Sequence, residues 1–129
     1  MSSPTSTDSD LPVRAALQVH GPLSRGAFAV AVLVSLAVLF APAGDVPSAP
    51  AGVDKIVHAS LFAALALTGR WAGVSRGVLA PVLVLYAAVS EVVQGMIGRD
   101  AAVGDWVADV VGILLGLLVW QVAAGRRAR

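Results

Sequence analysis

The sequence predicts an all-α polytopic membrane protein, a bundle of four transmembrane helices. Three observations lead there. The 129 residues are 57% hydrophobic and 13% charged, where soluble domains carry about 25% charged residues. The apolar residues gather into four runs, over about residues 26–41, 54–69, 78–97 and 103–124. The ionisable residues inside the last three runs lie near one end of the bundle these runs would form, a pattern costly in a bilayer and unexpected by chance.

Each element follows from its residues. Residues 1–25 are rich in Ser, Thr, Pro and Asp and read as a water-exposed, disordered tail. The first run, Gly26 to Ala41, is apolar apart from Ser35. At about 16 residues it is a little short of the roughly 20 that span a bilayer without local thinning. Ala41-Pro42-Ala43 also has the small-x-small form of a signal-peptide cleavage site, but the preceding tail is long and mixed in charge for such a leader. A retained first helix is therefore the expectation. Residues 42–53 hold three Pro and two Gly and form an irregular loop.

The second run opens with Asp54, an acceptor suited to the free amides of a helix start. Residues 70–77 make a short polar turn. The third run carries Pro81, expected in its first turn, where the missing N–H is harmless. Gly98-Arg99-Asp100 turns the chain into the fourth run, which fades into the basic tail 125–129. Trp71 and Trp106 read as interfacial anchors and Trp120 as part of the opposite belt. Residues 26–124 thus form one transmembrane domain between two tails. With four spans, seven Arg share the side of the termini, and Lys55 and Arg99 lie opposite. That asymmetry predicts cytoplasmic termini in a cell membrane.

The ionisable residues then fall at one depth near the outer interface. Glu91 and Asp109 each lie about 9 Å inside their helix ends, and His58 lies about 6 Å below Asp54. Glu91 and Gln94 share a face of the third helix; Asp105 and Asp109 share a face of the fourth. Gly112 and Gly116 continue that second stripe with the small-xxx-small spacing that lets a backbone approach closely. Asp54, Lys55 and Asp105 also fit ordinary cap and interface roles, and a lone buried His is commonly an interhelical hydrogen-bond donor. Glu91 and Asp109 are too deep to be caps.

The set D-K-x-x-H at 54–58, E-x-x-Q at 91–94, G-R at 98–99, Asp105 and A-D-x-x-G at 108–112 resembles the VanZ-like family. The resemblance covers about half the chain, from Asp54 to Gly116. Many members have Asn at the position of Asp109. It implies a bacterial multi-pass membrane protein of the cell envelope, in a family named for raised resistance to the antibiotic teicoplanin.

Three functions remain open on these residues. The first is binding or modification of an amphiphile at the outer leaflet, a membrane lipid or a lipid-linked cell-wall precursor. His58, Glu91 and Asp109 would then be the catalytic candidates, and Asp54, Lys55, Gln94, Arg99 and Asp105 the ligand-binding ones. Lys55 and Arg99 suit a phosphate, and a carboxylate with His58 suits general acid–base chemistry. The second is a metal-dependent site drawn from His58, Glu91, Asp105 and Asp109, suited to Zn²⁺ or Mn²⁺, with an oxygen-rich subset also suited to Mg²⁺. No dense ligand motif supports it, so no residue is assigned to a metal and no cofactor is named. The third is a non-enzymatic accessory protein whose polar cluster locks the bundle. Cys is absent, which removes disulfides and thiolate chemistry. No basic–aromatic stripe points to nucleic acid.

Overall fold

The computed structural model describes residues 18–129. The tail expected to be disordered, residues 1–25, lies outside the described residues as far as residue 17. Among the described residues there are four α-helices and no strand: α1 (Pro22–Leu39), α2 (Val53–Trp71), α3 (Arg76–Met96) and α4 (Val103–Arg127). A single 3-10 turn, Ala43–Asp45, interrupts the α1–α2 loop.

Three of the helices, α1, α3 and α4, are long and apolar enough to cross a membrane. The exception is α2, whose 19 residues include Asp54, Lys55 and Arg70. The expected four helices are present, three of them apolar enough to span a membrane, and α2 is the more polar one. That helix is the central one. It packs most extensively against α4 and also contacts α1 and α3. Outward faces are apolar: Leu33, Ile56, Leu85, Val92 and Leu114 are each more than 60% exposed. Soluble monomers rarely expose contiguous apolar surface on this scale, and such faces suit a lipid bilayer.

The boundaries differ from the sequence reading in instructive ways. Helix α1 starts at Pro22, with Pro at its first position, so residues 22–25 are helical rather than tail. Pro81 lies inside α3, beyond its first turn, and so withholds a donor from the carbonyl four residues back. Asp54 is not the cap of α2. The chain enters that helix through Gly52, in the left-handed region at φ 90°, and Asp54 falls in the first turn with no capping hydrogen bond. Asp105 likewise lies in the first turn of α4, after Ala102. Helix α4 continues through Arg126 and Arg127, where basic residues complement the carboxyl end of the helix dipole.

Two matching stripes join α2 to α4. The buried residues of α2 are His58, Phe62, Leu65, Ala66 and Gly69. Those of α4 are Asp105, Asp109, Gly112, Ile113 and Gly116. Both follow the i, i+4, i+7, i+8, i+11 pattern of one helix face. The glycines set the separation. A Cβ on Gly112 would overlap the Ala59 carbonyl, and one on Gly116 would lie 2.8 Å from Ala66 Cβ. From α3, Leu79, Leu83 and Ala87 complete the apolar core, and Tyr86 packs on Phe62 with ring centroids 5.6 Å apart. The Tyr86 hydroxyl meets Ser35 Oγ at 3.0 Å, tying α1 to α3.

Candidate functional site

The apolar layer gives way to polar groups at one end of the bundle, where α1 and α3 end and α2 and α4 begin. His58 Nδ1 donates to Asp109 Oδ1 across 2.9 Å. The same nitrogen lies 3.8 Å from Glu91 Oε1. All three residues are buried, with Asp109 at 0%, His58 at 3% and Glu91 at 8% exposure. As an ionised carboxylate Asp109 accepts only, which places the proton on Nδ1 and leaves Nε2 of a neutral ring as the acceptor.

Each member is placed by its helix. His58 is one turn into α2, and Asp109 is one turn into α4 on the stripe that Gly112 holds against Ala59. Glu91 stands near the end of α3, and its Oε2 accepts the Ala102 backbone N–H at 3.1 Å, where the chain enters α4. One Glu91 oxygen therefore satisfies a free amide at a helix start, a favourable place for a negative charge. The other, Oε1, is buried with no hydrogen-bond partner, as is Asp109 Oδ2.

A second pair flanks this trio. Lys55 Nζ donates to Asp105 Oδ1 at 2.9 Å and lies 3.8 Å from Asp54 Oδ2. The Lys55 stem crosses the face of Gly104, where a Cβ would lie 3.1 Å from Lys55 Cε. Lys55 is 48% exposed and Asp105 only 7% by side chain, so the ammonium neutralises a buried carboxylate from the water side.

Gln94 and Arg99 do different work from the other candidates. Helix α3 ends with Gly98 in the left-handed region at φ 81°, and Arg99 N–H returns to the Gln94 carbonyl at 2.9 Å. This closing geometry sends the Arg99 side chain to the end of α1. There Nη1 donates to the Val38 and Leu39 carbonyls at 3.0 and 2.9 Å, and Gln94 Nε2 donates to Leu39 at 3.0 Å. These are otherwise unpaired carbonyls, and a cation beside them is stabilising. Sequence proximity suggested Arg99 as a partner for the acids; the structure gives it to α1.

Two cavities reach the trio, one lined by His58 and the other by Glu91. The larger, about 740 Å³, lies between α1, the 43–53 loop and α2. Its wall is mostly apolar, through Ala37, Val38, Val46 and Val57, with Asp45, Asp54, His58 and Arg99 as its ionisable groups. The smaller, about 310 Å³, lies between α3 and α4 and is lined by Glu91 and Trp106 among others. The indole Nε1 of Trp106 is buried without a partner. Asp45 and Trp106 went unnoticed as site residues in the sequence: the first lies in a loop rich in Pro and Gly, and the second read as an interfacial anchor.

Comparison of the chain with family models, with curated proteins and with solved structures finds no match. The likeness to the VanZ-like family rests on the quoted motifs alone.

Proposed function

We propose that the chain is a four-span, VanZ-like membrane protein of the bacterial envelope that receives the head group of an amphiphile beside His58. The larger cavity carries this reading. Its volume of about 740 Å³ falls in the range of small-molecule sites, about 300–1,000 Å³. It also joins an apolar wall to a buried His–carboxylate pair, which suits a ligand with both a chain and a polar head. In this reading α2 is the fourth span, shielded by its neighbours. The termini are cytoplasmic, and the site faces outward toward lipid-linked wall precursors. Arg99 brings a positive charge to the cavity rim for a phosphate, with Lys55 nearby. His58, with Asp109 fixing its tautomer, has the form of a general base. Sensitivity to teicoplanin would follow from a change in the precursor pool.

The test is direct. Native mass spectrometry of the purified full-length protein should detect a retained lipid, and Val57→Trp, which puts an indole into the cavity beside His58, should weaken its retention. The same variant, at matched protein level, should lose the phenotype of a deletion strain toward wall-active antibiotics. No retained lipid, together with a fully active Val57→Trp protein, refutes the reading. That outcome would favour the bundle-locking role, which the use of Gln94 and Arg99 on α1 carbonyls supports.

A further inference from the structure

We propose that His58, Glu91 and Asp109 bind one divalent transition-metal cation of the Zn²⁺ or Mn²⁺ class. The ligand atoms are already gathered: one from each residue, all within 4.8 Å of one another. Two ligands at right angles on a metal with bonds of about 2.1 Å lie about 3.0 Å apart, and two at a tetrahedral angle about 3.4 Å apart. The observed separations from His58 Nδ1, 2.9 Å to Asp109 and 3.8 Å to Glu91, bracket those values. Small rotations of the two carboxylates would close the shell.

Two independent observations point to a cation rather than to packing. The first is the pair of buried, partnerless oxygens, Asp109 Oδ2 and Glu91 Oε1. Asp109 is fully buried, and a buried carboxylate oxygen without a donor is costly enough that native proteins rarely leave one. The second is the charge count. Lys55 balances Asp105, and Arg99 is engaged on α1. Glu91 and Asp109 then face one imidazole. With His58 neutral, as a ligand imidazole must be, the deficit is two charges, which one dication closes. On binding, the ring proton moves from Nδ1 to Nε2, so the imidazole remains neutral and His58 serves as a ligand in place of the general-base role. The imidazole nitrogen favours Zn²⁺ over Mg²⁺, and the two carboxylates keep Mn²⁺ within reach of the same site.

Three protein ligands leave coordination positions open. The inference deepens the amphiphile reading and rests on it for what those positions meet: a phosphate oxygen or a water delivered from the cavity that His58 lines. The metal can be read separately from the lipid.

Tag-free, full-length protein in detergent is stripped with chelator and titrated with Mn²⁺, followed by electron paramagnetic resonance, and then with Zn²⁺. About one Mn²⁺ per chain is expected, displaced by Zn²⁺, with an imidazole nitrogen coupling in the pulsed spectrum. Affinity should fall by about tenfold or more in Glu91→Gln, Asp109→Asn and His58→Gln. His20→Gln, which removes the other of the two histidines, should leave binding unchanged. The amide variants keep side-chain shape, and helix content by circular dichroism checks their fold. The nitrogen coupling needs only the wild-type protein. Substoichiometric binding of both ions, an ion with no nitrogen coupling, or binding retained in all three variants overturns the proposal. Retained lipid without metal overturns the metal site alone; metal without lipid, with a fully active Val57→Trp protein, overturns the amphiphile reading alone.

Discussion

Gly112→Ala should disturb the site without touching it. Gly112 lies on α4 three residues past Asp109, against the Ala59 carbonyl, and Ala59 follows His58. The added methyl meets backbone, which cannot rotate away as a side-chain tip can. At Gly116 the corresponding Cβ would lie 2.8 Å from Ala66 Cβ, where ordinary contact begins at 3.4 Å. Either substitution must part α2 from α4 by roughly 0.6 Å or more. Applied to the His58–Asp109 bond of 2.9 Å, that displacement gives about 3.5 Å, the limit of a hydrogen bond. The overpacking cost is about 1–3 kcal/mol, and the gain in helix propensity returns up to about 1 kcal/mol. The net expectation for Gly112→Ala is a loss of up to about 2 kcal/mol. Gly125 is the control: it is also helical, with nothing within 4 Å of a new Cβ, so Gly125→Ala should be neutral or stabilise by up to about 1 kcal/mol. Reversible unfolding in mixed micelles gives the stabilities, and Mn²⁺ or lipid binding reports the site. A Gly112→Ala protein as stable as wild type, with unaltered binding, would refute the claim that these glycines set the His58–Asp109 distance.

Other predictions address the remaining links. Arg99→Met removes two charge-assisted bonds from the end of α1 and should cost about 1–3 kcal/mol in the same unfolding assay, with little change if those carbonyls are rehydrated. Glu91→Gln should insert and accumulate like wild type yet lose any envelope phenotype at matched protein level; an abundant, fully active variant would remove Glu91 from the site. A cysteine placed in residues 42–53 should react with an impermeant reagent in intact cells, and one in residues 70–77 should not. The reverse labelling would overturn both the orientation and the outward-facing site.

Helical periodicity made much of this arrangement legible. The i, i+4 relation of Asp105 and Asp109, continued by Gly112 and Gly116, located the face of α4 that packs on α2. The common depth of Glu91 and Asp109 anticipated their approach, because rise per residue fixes depth once helix ends are known to within a turn. Direction within a turn was harder to read. Arg99 could have served the acids or α1, and the choice is made by one backbone angle, the positive φ of Gly98. Asp54 had the chemistry of a cap, but capping depends on which residue leaves helical dihedrals, and Gly52 does so first. The partnerless state of Glu91 Oε1 depends on three helices at once, which no local pattern encodes.

The least apolar helix occupies the middle of the bundle, and this bears on what the polar end is for. A helix carrying Asp54, Lys55, His58 and Arg70 would be poorly matched to lipid on all sides. Surrounded by α1, α3 and α4, it presents only part of its surface outward. A bundle-locking role would need one or two neutral hydrogen bonds between helices, and Asn or Gln supplies those at lower desolvation cost than carboxylates. The structure does use that solution where only locking is needed: Gln94 holds Leu39 with a neutral amide. At the adjacent level it keeps Glu91 and Asp109 instead, each with one buried oxygen unmet. The amide fastens helices; on the metal proposal, the two carboxylates beside one imidazole are instead the ligands of a cation.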